Sequence, residues 1–276
     1  MIYYLNTQIY KYITITMKIL YKHECEMLYH CMNRLKQEGV LQEKCCYCGR
    51  LDPMAKGKML FLEGDERKQM EDYLQCDKEY EFEIGLGIST DTDDILGLIE
   101  EVNLDTIQLF DYSNVLQTNI NSLISKNKQK YHKFSAFQIK KNGARVNLCE
   151  LSKEHTLDPN DIPSKPCNVH YIQKLNKKKI DSNYFVSIIK KKLKSFYDPK
   201  NYYRTKEIIE GWERFGQSLS DSIYNTHNVI TYKYKMKVSS GFYIRQFIAD
   251  LKKMCNFPLI VLNINRTNIF VDGEPL

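Results

Sequence analysis

The sequence predicts an α+β domain built on a mixed, largely antiparallel sheet flanked by helices. Three observations carry that expectation. Segments such as "KEYEFEIGLGI" (78–88) and "NVITYKYKMKVSS" (228–240) alternate apolar and polar residues with the period of a half-buried strand. Between such segments lie helical periods, as in 24–39, where Met27, Leu28, Cys31, Met32 and Leu35 share a face before Gly39. The two kinds of segment interleave along the chain instead of forming separate blocks.

Each further element follows from its own pattern. "KMLFLEG" (58–64) is a buried strand or a helix start, and "DERKQMEDYLQ" (65–75) an amphipathic helix. "STDTDDILG" (89–97) is a polar, acidic turn, and 105–126 supplies one or two helices. "KFSAFQIKKNGAR" (133–145) is a strand, a turn at Asn142-Gly143 and a second strand. A lysine- and tyrosine-rich stretch with helical periods, about 173–228, stands out as an insertion. After the strand at 228–240, Gly241 breaks the pattern, "FYIRQFIADLKKMC" (242–255) resumes as a helix and "LIVLNINRTNIF" (259–270) closes the domain as a strand.

A chain of 276 residues is long enough to bury a substantial core, and its 43% hydrophobic and 27% charged residues are those of an ordinary globular protein. It has no apolar run of membrane-spanning length, and its first twenty residues lack the features of a signal peptide. Residues 1–16 are expected to be an extension, with Met17 a candidate start and 17–276 the catalytic domain. Nine scattered cysteines point to a reducing, intracellular compartment, in the cytoplasm or nucleus, with mitochondria left open. The net charge of +6 is concentrated in two clusters, Lys126–Lys133 (with His132) and Lys174–Lys194. Together with 20 tyrosines, these fit a polyanion that also offers bases to stack on, although lysine runs also serve as plain solvated faces.

The densest motif is "CCYCGRLDPMAKG" (45–57). Cys45 and Cys48 have CxxC spacing, but a structural zinc site needs four converging ligands and no second CxxC follows. The thiols are therefore expected to fill space around a tight loop, with no metal and no cofactor. Asp52 is the stronger candidate: Gly49 relaxes the backbone, Pro53 fixes it, and one carboxylate projects from a rigid loop. A nucleophilic carboxylate must stay ionised, which an arginine partner favours.

In order, the chain carries "GRLDPMAKG" (49–57), "DKEYEFEIGLGISTDTDDILG" (77–97), "KFSAFQIKKNGAR" (133–145), "VSSGFYIRQFIADL" (238–251) and "INRT" (264–267). The series resembles the TruB family of RNA pseudouridine synthases, which modify the T-loop uridine of tRNA, and in wording is nearest the fungal-type eukaryotic branch. The resemblance implies the pseudouridine synthase fold, an isomerase needing no cofactor, and a tRNA T-stem loop as partner of a monomeric enzyme. It places Asp52 on the family's loop aspartate, Tyr80 on its active-site tyrosine and Arg245 on the arginine that pairs with the aspartate. RNA contacts are expected from Tyr47, Lys22, Arg50, Lys133, Phe134 and Arg266.

Several positions depart from the family pattern. Tyr47 stands where a base-displacing histidine is usual, and the first motif survives only as Lys22-His23. Tyr131-His132-Lys133 replaces the segment in which a proline pair is expected, and Phe134 stands in place of a tyrosine. Ten residues follow Arg266, too few for a C-terminal PUA domain, so the insertion at 173–228 is expected to supply basic contacts to tRNA. Two alternatives accompany the enzyme: a diverged relative that binds and folds tRNA without modifying it, and a zinc-knuckle RNA binder.

Overall fold

The computed structural model describes residues 17–220 and 228–276, so the expected extension at 1–16 lies outside the described residues. The chain opens with β1 (Met17–Lys22), α1 (Leu28–Gln37), β2 (Cys45–Cys48) and β3 (Lys56–Glu63). A short 3-10 turn leads into α2 (Met70–Leu74), then β4 (Asp77–Leu86), the small pair β5 (Ile88–Thr90) and β6 (Ile99–Val102), and helices α3 (Leu104–Leu109) and α4 (Ser113–Ile124). Next come β7 (Lys128–Lys130), the hairpin β8 (Gln138–Lys141) and β9 (Ala144–Asn147), α5 (Leu148–Lys153) and β10 (Ser164–Pro166). The last part holds β11 (Val169–Asp181), α6 (Ser182–Ser195), α7 (Thr205–Ser220), β12 (Asn228–Val238), α8 (Ile244–Cys255), β13 (Leu259–Val271) and β14 (Glu274–Pro275).

The central sheet runs β1-β3-β13-β4-β12-β11, with β2 added to β3 and β14 to β13. Its pairings are antiparallel except β13 with β3, which is parallel. The period-two pattern sorts the side chains as expected. Phe82 and Ile84 of β4 join Tyr234 and Met236 of β12 in the main core, which α4, α6, α7 and α8 cover with Ile120, Ile189, Trp212 and Ile248. The other face of these strands is a charged ladder, where Glu81 meets Lys233 at 2.6 Å and Glu79 meets Lys235 at 3.2 Å. In β3 the alternation divides Met59 and Phe61, in the main core, from Leu60 and Leu62, which pack with Cys48 and Ile269 in a second small cluster.

Three expectations need correcting. The predicted amphipathic helix at 65–75 is a 3-10 turn followed by the five residues of α2. "STDTDDILG" is an acidic turn by sequence, yet Thr90, Thr92, Asp93 and Asp94 are buried: the two threonine hydroxyls bond to Asp94 within the turn, while His132, Lys252 and Arg245 from distant segments reach Asp93 and Asp94. The stretch from 173 is not a helical insertion at its start: residues up to Asp181 belong to β11, the edge strand paired with β12. Lys174, Lys177, Lys178 and Lys179 are exposed there, and lysines on an open sheet edge discourage further strand pairing. The two helices that follow are integral, since Phe185, Ile208 and Trp212 lie in the main core.

One glycine fixes how the sheet supports the loop before β3. Gly57 has φ +126° and sits opposite Arg266 in the parallel pairing, where a Cβ would collide with the Arg266 backbone. Both the conformation and the contact exclude a side chain. Gly57→Ala is therefore expected to lower stability by about 2–4 kcal/mol, read as a shifted urea midpoint. An unchanged midpoint would mean the two strands do not approach this closely.

Candidate active site

The loop from Gly49 to Ala55 connects β2 to β3 and is held from below by two buried cations. Lys22, with no exposed surface, donates its ammonium to the carbonyls of His23, Pro53 and Ala55 at 3.1, 3.0 and 2.5 Å. Burial lowers its pKa to about 8. Arg266, 1% exposed, donates Nε to the Lys58 carbonyl at 2.6 Å and Nη2 to the Gly49 carbonyl at 3.1 Å. Both were expected to contact RNA; Lys22 is fully buried and off the cavity, while Arg266 is buried but lines the cavity wall. Each uses donors on backbone carbonyls, some of them in the loop, that would otherwise be unsatisfied inside the protein.

Asp52 projects from this loop toward the start of α8, with its side chain about a quarter exposed (26%). Arg245, in the first turn of α8, grips it with two bonds: Nε to Oδ2 at 2.7 Å and Nη2 to Oδ1 at 2.6 Å. Such a fork is the geometry that suits guanidinium to carboxylate. Burial works to raise the Asp52 pKa, but the charge and hydrogen bonds of Arg245, with help from His132 and Lys22, outweigh it and hold the carboxyl below its ordinary range. Gln129 fixes the entry to α8, accepting from the Tyr243 N–H at 2.9 Å and donating to the Tyr243 carbonyl at 3.0 Å.

The buried acidic turn surrounds the same arginine. Asp94 Oδ2 lies 3.5 Å from Arg245 Nε, while Asp94 Oδ1 accepts from the Thr92 hydroxyl at 2.7 Å and the Leu96 N–H at 2.8 Å. Burial nonetheless raises its pKa to about 6. Asp93 pairs with His132 at 3.1 Å and Lys252 at 2.6 Å, and Asp91 with Arg204 at 2.7 Å. His132, a member of a basic cluster by sequence, is buried, and burial followed by the charge of Arg245 lowers its pKa to about 4.

Asp52, Tyr80 and Arg245 line one cavity of about 850 Å³, a volume suited to a nucleotide-sized group. The structure thus assembles the three expected catalytic positions. Tyr80 reaches the cavity from the middle of β4, opposite Met236 and Arg266. Phe134 and Arg50 also line it. Lys133 does not, although its ammonium sits 5.7 Å from the Phe134 ring. Tyr47 is off the cavity, half-buried on β2, with its hydroxyl 3.5 Å from the Arg50 guanidinium. It packs on the core.

The sequence did not reveal the aromatic and cationic walls. Tyr131 stacks on Phe137 with centroids 3.7 Å apart, and Lys165 lies 4.1 Å from the Tyr243 ring centre. Tyr202, Tyr203 and Arg204, from the connection between α6 and α7, form another side. The Asp198 carboxylate accepts from the N–H groups of Tyr202 and Tyr203 at 2.8 and 2.9 Å, which fixes this connection. Of the cysteines, Cys48 is buried, and desolvation pushes its thiol up to about 12.

An aromatic-lined cavity that also holds an ionised carboxylate is of the class that can take a planar, polar group. Comparisons with known proteins agree with this class. The model of the TruB family pseudouridylate synthase N-terminal domain matches residues 37–192, more than half of the chain. The chain belongs to the TruB family. The tRNA pseudouridine synthase B of Acholeplasma laidlawii (strain PG-8A) is 30% identical over 146 residues, which cover 52% of this chain and 49% of that protein. The match thus spans about half the length of the curated relative. Among solved structures, a Cbf5-Nop10-Gar1 complex overlaps 92% of this chain and 49% of its own, at 12% identity and TM-score 0.47. An H/ACA RNP bound to a substrate RNA containing 2′-deoxyuridine overlaps 93% and 48%, at 12% identity and TM-score 0.43. No described helix is long and apolar enough to cross a membrane.

The buried carboxyl and imidazole make stability depend on pH in opposite senses. Between about pH 6.5 and 4 the unfolded chain protonates His132 while the folded chain does not, so this residue lowers stability as pH falls. Asp94 binds a proton in the folded state below about pH 6, before the unfolded chain does near 3.9, so it raises stability as pH falls. Asp94→Asn removes the second contribution alone. Relative to the unsubstituted protein, its urea-unfolding free energy should fall by up to about 1.4 kcal/mol per pH unit between pH 6 and 4. Parallel stability curves for the two proteins would contradict the assignment.

Proposed function

We propose that the protein is an RNA pseudouridine synthase that isomerises the T-loop uridine of tRNA. The observation that carries this reading is the forked Asp52–Arg245 pair inside a cavity that Tyr80 also lines. The tRNA class is supported by the name of the Acholeplasma relative and by the basic and aromatic rim. The target uridine is stacked in the folded T loop and must be flipped out to reach Asp52. Stacking on cavity aromatics such as Phe134 and Tyr243 offsets part of that cost, by about 1–3 kcal/mol per stacked base.

The chemistry needs no external reagent. Asp52, kept ionised by Arg245, attacks the bound uridine at C1′ of the ribose or at C6 of the base. The N1–C1′ bond breaks, the base turns within the cavity, C5 bonds to C1′, and the bond between Asp52 and the ribose or the base is broken so that the carboxylate is released. The proton on C5 is then lost, with Tyr80 placed to take or relay it, and N1 gains one, so the product is an isomer of the substrate.

Incubating the protein with unmodified tRNA and mapping pseudouridine by carbodiimide-dependent primer-extension stops tests this reading. A stop at the T-loop uridine is expected, and Asp52→Ala should abolish it. A wild-type protein that binds tRNA but yields no stop would establish the alternative of a tRNA-binding relative, which the position of Tyr47 outside the cavity favours.

The edge strand β11 gives a second expectation. Deleting 173–228 would remove core residues, so its contribution is better tested by the charge reversals Lys178→Glu and Lys179→Glu at two exposed positions of β11. If these lysines contact phosphates, tRNA affinity should fall and the slope of log K against log salt should decrease by about 1 per lysine. An unchanged salt slope would assign the lysines to edge protection alone.

A further inference from the structure

We infer that His132 is a positioning residue: a neutral imidazole that takes up the far side of the Arg245 guanidinium and so locks the arginine onto Asp52. This inference rests on the reading of Asp52 and Arg245 as the reacting pair. The family pattern leads one to expect proline in this segment, and a proline has no side-chain acceptor to offer.

The geometry specifies the tautomer. His132 Nδ1 lies 3.1 Å from the Phe134 backbone nitrogen, whose N–H donates to it, and 3.3 Å from Arg245 Nη1. Neither neighbour can accept, so Nδ1 is the bare, accepting nitrogen. Nε2 lies 3.1 Å from Asp93 Oδ2 and carries the proton. Asp93 is in turn paired with Lys252 at 2.6 Å. A continuous chain thus runs Lys252, Asp93, His132, Arg245, Asp52, joining the C-terminal half of α8 to its first turn through two loops.

The reason for a neutral acceptor lies in the donor count of a buried arginine. Nε and Nη2 are given to Asp52, and Nη2 also approaches the Phe134 carbonyl at 3.3 Å. Nη1 faces His132. An empty space there would leave a charged donor unsatisfied in the interior, at a substantial desolvation penalty. A carboxylate there would compete with Asp52 for the same cation. An imidazole whose proton is held on the other side by Asp93 satisfies Nη1 without drawing charge away, and the burial that lowers its pKa keeps it in that state.

Three measurements on the full chain test the inference. First, a two-bond ¹H–¹⁵N spectrum of the wild-type protein at pH 7 should show His132 as the neutral Nε2–H tautomer. An Nδ1–H tautomer or an imidazolium would overturn the proposal. Second, ¹³C-detected titration of the Asp52 carboxyl should show a higher pKa in His132→Ala than in the wild type, and equal values would overturn it. Third, with tRNA as substrate, His132→Ala should reduce kcat about 10- to 100-fold with KM within about twofold, the loss expected for one hydrogen bond to a charged group. His132→Asn, whose Oδ1 can accept from the same two donors, should recover most of that loss. An Asn variant no better than Ala, or an Ala variant with wild-type kcat, would overturn the role. The first two measurements need no substrate, so absence of pseudouridine formation by the wild type would defeat the functional reading while they still decide the role of His132.

Discussion

The fork between Arg245 and Asp52 is the interaction on which the rest of the site depends. A carboxylate in this setting would be driven toward its neutral form by burial, and the guanidinium reverses that balance. The arginine is itself costly to bury, and it stays charged because Asp52 and Asp94 together outweigh its desolvation. Each charge is thus the condition for the other. The loop, the acidic turn and the start of α8 have to be placed within tenths of an ångström of one another.

The surrounding structure supplies that placement with buried polar groups whose hydrogen bonds are directed and short. Lys22 and Arg266 satisfy carbonyls of the loop that carries Asp52, while Gln129 holds the backbone at Tyr243. Apolar packing alone would not discriminate among loop conformations as sharply, because it lacks direction. The arrangement also keeps carboxylates near the positive end of α8, where its dipole favours anions. Arg245 occupies that end against the dipole, a further reason for the several acids around it.

Much of this was legible in the sequence, and the parts that were not share a physical cause. The alternation in β4 and β12 and the Asn142-Gly143 turn could be read locally, because a strand's period and a turn's backbone demands are local properties. Asp52, Tyr80 and Arg245 were recognisable from motifs that fix residue type and context. Lys22 was assigned to RNA because a cation that binds carbonyls from within has the same chemistry as one that binds phosphate from outside. Burial, which separates the two, depends on strands far away in the chain. Asp93 and Asp94 were read as part of a polar, acidic turn and His132 as part of a basic cluster for the same reason, since their charged partners come from other segments. β11 was obscured because an edge strand tolerates lysine at almost every position, which erases the alternation that marks a strand.

The two-residue parallel contact of β13 with β3, Asn265 with Lys56 and Arg266 with Gly57, has a consequence for how the molecule forms. It ties the loop that bears Asp52 to a strand more than 200 positions later, and Asp52 meets Arg245 across 193 positions. During synthesis the N-terminal strands β1, β2 and β3 emerge long before β13, so β3 waits with part of one edge open. The hydrogen bond from Arg266 to the Asp52 loop cannot form until β13 arrives between β3 and β4. Contacts of such long range make closing the sheet a slow, late event. The Asp52–Arg245 pair therefore appears with completion of the fold, and a chain that stopped short of β13 would carry the motif of the site without its geometry.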